Sequence, residues 1–292
     1  MSRKTLQKLT IKDNFMFAAV MMDSDNCKHL LEMVLDTDLR EVHVIAEKSI
    51  VYHPEHHGIR LDVIANDEEG SHYSIEMQVQ KRETVKRSRY YHAQMDTELL
   101  LAGRNYEELP DVYVIFICDY DPFGDGKYMY TVTSLLKESM RSYEDGSHSI
   151  FLSTAGKNKN EVAPELVKFL EFVHADLDEC MKDYEDDFID RLQASIQKIK
   201  ADRELEGRYM VLEEMLRNER NEGREEGRKE GHAEGNLDGM RKVLLLFAEM
   251  KYKKIPEILK EQILSQNDEA RLLQWNMNVQ SADTVEEFIE MM

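Results

Sequence analysis

Residues 58–80 read GIRLDVIANDEEGSHYSIEMQVQ, and this stretch decides the fold. Two segments that alternate apolar and polar residues flank an Asp-Glu-Glu-Gly turn, in which Gly70 suits a position with positive φ. The pattern therefore predicts a β-hairpin. With Glu69 at the centre of the turn, strand pairing places Asp62 directly opposite Glu76.

The predicted hairpin brings three polar side chains to one face. Because side chains alternate along a strand, Asp62, Glu76 and Gln78 share the face opposite the apolar residues. Facing carboxylates destabilise a strand pair unless a cation compensates them or a pKa rises. Mg²⁺ suits this task because it binds one or two carboxylates and keeps waters that can be activated as nucleophiles. On spacing alone, a metal site and a solvated polar face both stay open.

The sequence around the hairpin predicts an α/β core. Two short helices precede the hairpin, and Asp13 occupies an N-cap-like position before the first of them. One helix is predicted after the hairpin, over about residues 85–104. The predicted strands cover residues 42–45, 59–66, 72–79 and 112–118, and residues 128–132 and 149–152 are expected to extend the sheet.

A period-four repeat of glutamate and glycine occupies residues 222–235 and closes with Asp238-Gly239. Glycine in a helix interior costs about 1 kcal/mol relative to alanine, so five of them need an offsetting interaction. The repeat therefore indicates either a helix whose glycine face packs closely against a second helix or a flexible hinge. Both alternatives stay open at this stage.

Charge limits how the chain can bind nucleic acid. It contains 38 basic and 58 acidic residues, for a formal net charge of −20, so attraction by the bulk charge of the protein is excluded. Any contact with phosphates must come from a local patch. Residues 81–89 carry five basic residues and one acidic residue and are the best candidate for such a patch.

Other features of the sequence limit its cellular context. No run reaches the roughly 18 apolar residues of a membrane span, so no membrane association is predicted. The three cysteines share no metal-type spacing and fit a reducing compartment. We therefore expect a cytoplasmic protein.

The run Leu61-Asp62-Val63 followed by Ile75-Glu76-Met77-Gln78 resembles the recombination-promoting nuclease (Rpn) family, also described as PD-(D/E)XK nuclease family transposases. The resemblance extends to the KDNFMF run at 12–17, the RSRYY run at 87–91 and the Glu-Gly repeat, and so covers most of the chain. It implies an α/β, restriction-endonuclease-like core with a mixed central sheet and a long helical C-terminal region. The domains expected on this basis are a nuclease-like core at 1–155, a helical extension at 156–185, a long charged helix or hinge at 186–252 and a small helical cap at 253–292.

The resemblance also implies roles for individual residues. Asp62 and Glu76 bind Mg²⁺, for which Mn²⁺ is expected to substitute, and Asp13 is either a further ligand or a plain N-cap. The position two after the glutamate is usually Lys in this superfamily, whereas here it is Gln78, which cannot supply a positive charge. Lys81, Lys86 or Arg87 is the expected source of the missing cation. The residues expected to contact DNA phosphates are Lys81, Arg82, Lys86, Arg87, Arg89 and Tyr91.

Two hypotheses about function follow. The first is a Mg²⁺-dependent DNA endonuclease of the recombination-promoting or transposase type, with Asp62, Glu76 and Gln78 as its catalytic residues. The second is a nuclease-fold interaction module with weak or lost chemistry, which forms homo-oligomers through residues 186–252. Intact carboxylates favour the first hypothesis, whereas Gln78 and the net charge of −20 favour the second.

Overall fold

The computed structural model describes residues 5–45, 48–50 and 59–292. The two predicted N-terminal helices are present as α1 (Asn14–Met21) and α2 (Ser24–Leu35). Asp23 caps α2 by accepting hydrogen bonds from the amides of Asp25 and Asn26. The buried residues of both helices belong to the main hydrophobic core.

A six-stranded sheet forms the centre of the fold. The strands of the chain are β1 (Val42–Ile45), β2 (Lys48–Ile50), β3 (Ile59–Leu61), β4 (Val63–Asp67), β5 (His72–Gln78), β6 (Val112–Cys118), β7 (Met129–Val132), β8 (Leu135–Leu136), β9 (Arg141–Ser142) and β10 (Ser147–Ser153). The sheet has the order β1-β4-β5-β6-β10-β7, while β2 pairs with β3 and β8 with β9. Strands β5, β6 and β10 are parallel neighbours and the other pairings are antiparallel, so the sheet is mixed, as predicted.

The hairpin has the predicted register. Val63 lies opposite Ile75, which centres the turn on residue 69. Gly70 has a φ of 91°, as its place in the turn requires. The carboxylate of Asp67 holds the turn by accepting from two turn amides and from the Tyr73 hydroxyl.

One prediction about the hairpin is wrong. The strand expected over residues 59–66 is interrupted at Asp62, which lies between β3 and β4. The physical reason is that the Asp62 amide donates to the side chain of Glu76 rather than to a ladder carbonyl. Strand β3 pairs with β2 in a separate two-stranded sheet.

Helices cover both faces of the sheet. Helices α4 (Pro164–His174) and α5 (Asp187–Ala201) pack with α1 and α2 in the core on one face. Helix α3 (Thr84–Leu99) lies on the other face, where Tyr91 and Met95 join a second core with Phe116 and Phe151. The predicted continuation of this helix to residue 104 is wrong, because the backbone is already extended at Leu100.

The C-terminal region is helical, with α6 (Arg203–Tyr252), α7 (Glu257–Ser265), α8 (Glu269–Ser281) and α9 (Val285–Glu290). The Glu-Gly repeat lies within α6, which is continuous over 50 residues. The chain divides into two compact units, Met1–Met210 and Val211–Met292. The second unit has its own core, to which Leu244, Leu259, Ile263, Leu272, Trp275 and Phe288 contribute. Within the described residues, no helix is both long and apolar enough to cross a membrane.

Candidate active site

Asp62 and Glu76 meet where the strand is interrupted. The Asp62 amide donates to Oε1 of Glu76 at 3.1 Å, and the Met77 amide donates to Oδ2 of Asp62 at 3.1 Å. Each carboxylate therefore lies against the backbone beside the other. Glu76 is only 3% exposed, whereas Asp62 is partly exposed, so the site combines a buried carboxyl with one that water reaches.

Helix α1 contributes a polar residue that the sequence did not single out. Nδ2 of Asn14 donates to Oδ2 of Asp62 at 2.9 Å and to the carbonyl of Met77 at 3.3 Å. The neighbouring Asp13, a candidate metal ligand, accepts from the amide of Thr10 at 2.9 Å. Asp13 precedes the first helical residue, as predicted for an N-cap, but its side chain makes no capping hydrogen bond to the helix. The only sequence signal for Asn14 is its place in the KDNFMF run.

Burial raises the pKa of Glu76 to about 8, and the nearby charge of Asp62 contributes in the same direction. The Asp62 amide, Arg87 and Tyr91 act in the opposite direction by stabilising the carboxylate. A buried carboxyl beside a second acidic group gains most from a bound cation, which would replace the proton. The electrostatics therefore fit a divalent metal.

Arg87 brings a positive charge to this site. It donates through Nη1 to Oε1 of Gln78 and through Nη2 to the Tyr91 hydroxyl at 2.7 Å, and Nη2 lies 3.7 Å from Oε2 of Glu76. The guanidinium also lies over the Phe116 ring, 5.5 Å from its centroid. Of the three cations predicted to compensate for Gln78, Arg87 is thus in contact with it, whereas Lys81 and Lys86 are exposed.

Gln78 is fixed from two sides. Its Nε2 donates to the Gln80 carbonyl at 2.7 Å, while its Oε1 faces Arg87.

Tyr91 is 5% exposed, and its hydroxyl lies between Arg87 and Glu76. The contact of Tyr91 with DNA phosphates stays a prediction, and because its hydroxyl is buried, this contact requires a phosphate that enters the site.

The remaining residues of the basic segment are accessible. Four exposed basic residues lie between the end of β5 and the first turns of α3: Lys81, Arg82, Lys86 and Arg89. Arg82 donates through Nη2 to Oε1 of Gln80 at 3.1 Å, which connects it to the residue that holds Gln78. The basic segment thus lies next to the acidic pair, and these four side chains stay accessible to solvent.

The donor set suits a hard cation with few protein ligands. Within the described part of the chain, no group of three or more His, Cys, Asp or Glu side chains is arranged to hold a metal. Mg²⁺ needs only one or two carboxylates because it keeps several waters. Asp62 and Glu76 therefore fit Mg²⁺ or Mn²⁺ and do not fit a closed structural zinc site.

Comparisons with known proteins identify the family of this chain. A family model described as PD-(D/E)XK nuclease family transposase matches residues 15–226, which include the hairpin, the basic segment and much of α6. This match confirms the predicted fold class, with its mixed sheet and long C-terminal helices. Searches of curated proteins and of solved structures found no match. Since the matched region covers more than half of its length, the chain belongs to the PD-(D/E)XK nuclease family transposases.

Proposed function

We propose that this protein is a divalent-metal-dependent DNA endonuclease that hydrolyses phosphodiester bonds. The observation that carries the proposal is the reciprocal bonding of Asp62 and Glu76, in which a buried carboxyl is held beside a second acidic group. Such a pair is unfavourable on stability grounds unless a cation compensates it or one carboxyl keeps its proton, and a divalent metal would satisfy both carboxylates at once. Membership of a nuclease family supports phosphodiester hydrolysis as the reaction that this cation serves.

Asp62 and Glu76 would hold Mg²⁺ or Mn²⁺, which when bound would polarise a phosphoryl oxygen of the substrate and activate a water molecule. Asn14 orients Asp62 by donating to the oxygen that also accepts from Met77. Arg87 provides the positive charge that stabilises the phosphate as negative charge develops on it. Gln78 and Tyr91 position Arg87 through their hydrogen bonds to its guanidinium.

The substrate in this proposal is DNA, held through its backbone. Lys81, Arg82, Lys86 and Arg89 are exposed beside the acidic pair and would bind phosphates on either side of the scissile bond. Because the rest of the chain is acidic, this binding should depend strongly on salt and on these few residues.

Nicking of a supercoiled plasmid in Mg²⁺ or Mn²⁺ tests the proposal. We expect nicking by the wild type and none by Asp62→Asn or Glu76→Gln, because each variant removes a charge that the cation needs. The matched control is Glu69→Gln, which removes an exposed charge at the opposite end of the same hairpin and should cut normally. Wild-type cutting by both carboxylate variants would place the active site elsewhere.

One observation favours the alternative of an interaction module that forms homo-oligomers. The glycines of the α6 repeat are open, since an added Cβ would meet no atom within 4 Å at Gly223, Gly227, Gly231, Gly235 or Gly239. A second copy of the chain has room to approach this face closely. A protein that assembles but never nicks DNA under the conditions above would favour this alternative.

A further inference from the structure

The loop after β6 is fixed by a single carboxylate. Asp121 accepts hydrogen bonds from the amides of Phe123 at 3.1 Å, Gly124 at 2.8 Å and Gly126 at 2.7 Å. It also accepts from the Tyr130 hydroxyl at 2.7 Å. Gly124 and Gly126 have φ values of 87° and 70°, which such a tight loop requires. The loop is therefore an ordered support for the residues that it carries.

This loop presents a large aromatic side chain to solvent. Phe123 is 40% exposed, although its ring also packs on Tyr130 and Phe151 at centroid distances of 4.8 and 5.1 Å. Both contacts are edge-to-face, which fixes the ring plane. A single exposed apolar residue needs no special explanation, so the inference depends on where this ring lies.

A row of neighbouring side chains on one face of the sheet connects the proposed metal site with Phe123. Across β5, β6 and β10, strand pairing places Glu76 beside Phe116 and Phe116 beside Phe151. Register partners point to the same face, and strands are about 4.8 Å apart, so Phe151 lies about 10 Å from Glu76. Phe123 packs on Phe151 and therefore lies roughly 10–15 Å from the acidic pair on the same face of the sheet.

The same loop contacts the basic segment. The hydroxyl of Tyr120 accepts from the amide of Arg82 at 3.4 Å. The charges nearest Phe123 are mainly negative, because Asp121 and Asp125 lie in the same loop and Lys127 forms an ion pair with Glu161. The loop therefore offers the ring as an uncharged contact, and the basic segment that Tyr120 contacts offers the charges that suit a phosphate backbone.

We infer that Phe123 is a stacking platform for an unpaired nucleobase of the DNA strand bound at the active site. The inference rests on the proposed function, because that function makes DNA the ligand. Aromatic rings stack on every base, so the contact would tolerate any sequence and would favour single-stranded or distorted DNA. A separation of 10–15 Å corresponds to about three or four base steps at 3.4 Å each.

Metal-free binding of a labelled single-stranded oligonucleotide, followed by fluorescence anisotropy, tests the inference without any cleavage. Phe123→Leu keeps an apolar side chain on Phe151 but removes the π face, and Phe123→Ala removes both. Stacking on one base is worth about 1–3 kcal/mol, so we expect both variants to bind roughly 5- to 150-fold more weakly. Tyr106→Leu is the control, because Tyr106 is 83% exposed and precedes the opposite end of β6.

A spectroscopic measurement separates stacking from a structural role. With 2-aminopurine at successive positions of the oligonucleotide, we expect fluorescence quenching at one or two positions for the wild type and its loss in Phe123→Leu. Equal affinity and equal quenching in the variant would overturn the inference while leaving the nuclease proposal intact. If the wild type binds no single-stranded DNA, the stacking inference falls, while plasmid nicking still decides the nuclease proposal. If it binds through Phe123 but never nicks plasmid, only the nuclease proposal falls.

Discussion

Glu76 is a residue whose protonation depends strongly on the fold. Its pKa is raised from 4.5 to about 8 in the folded chain, so between these values the folded state holds a proton that the unfolded state has lost. The resulting contribution to stability is fully present below pH 4.5 and disappears as the pH rises through about 8. A bound cation should reverse this trend, because it replaces the proton.

We therefore predict that the Tm of the metal-free protein falls between pH 6 and pH 9. The fall in Tm should be smaller for Glu76→Gln than for the wild type, by roughly 5 °C. Mg²⁺ should stabilise the wild type more at pH 8.5 than at pH 6.5, since the carboxyl must be deprotonated to bind it. Thermal unfolding at each pH, with and without Mg²⁺, measures both effects. Parallel pH profiles for the wild type and Glu76→Gln would contradict the prediction.

Arg87 is the residue that we expect to replace the usual lysine of the family. Arg87→Ala should slow nicking by about 100-fold, as does the loss of one transition-state donor in other enzymes. Adding Gln78→Lys to that variant should restore much of the rate, because it puts a cation at the usual position. Lys86→Ala, which removes an exposed neighbouring charge, is the control and should weaken DNA binding without this loss of rate. A double variant as inactive as Arg87→Ala would show that Gln78 has a role that a cation cannot fill.

At the scale of elements, the hairpin and the α6 repeat differ in how much the sequence reveals. The turn and the register of the hairpin, which bring Asp62 close to Glu76, follow from residue alternation around Gly70. The interruption at Asp62 does not, because it arises from a side-chain hydrogen bond between residues 14 positions apart. The contacts of Asn14 with Asp62 and Met77 cannot be predicted from the sequence for the same reason, since tertiary packing brings α1 to the sheet.

For α6, we predict that the glycine row packs against a second copy of the chain. Leucine at both Gly227 and Gly231 should then reduce the oligomeric mass, because the larger side chains prevent close approach of the helices. The control is leucine at Glu225 and Lys229, which have the same spacing on another side of the helix. Light scattering after size-exclusion chromatography measures the oligomeric mass, and circular dichroism measures the helicity. Unchanged mass with higher helicity in the glycine variant would end the packing idea.

At the scale of the whole molecule, the sequence identifies the α/β core and the helical C-terminal region but not the boundary between the two compact units. That boundary follows Met210, inside the continuous helix α6. No proline or loop marks it, because one helix contributes Tyr209 to the first core and Leu244 to the second. The net charge of −20 describes the chain as a whole, whereas the order of residues at 81–89 reveals the basic segment beside the candidate site.

The reciprocal bonding of Asp62 and Glu76 determines which variants can report on catalysis. Oε1 of Glu76 accepts a hydrogen bond from the Asp62 amide, and Oδ2 of Asp62 accepts one from the Met77 amide. Alanine at either position would remove the charge and also leave a backbone donor without its acceptor, which costs about 1–3 kcal/mol when the group is buried. Asparagine and glutamine keep an oxygen at the same reach. Only these isosteric amides separate the loss of a metal ligand from damage to the main chain, so an inactive alanine variant would not by itself identify a ligand.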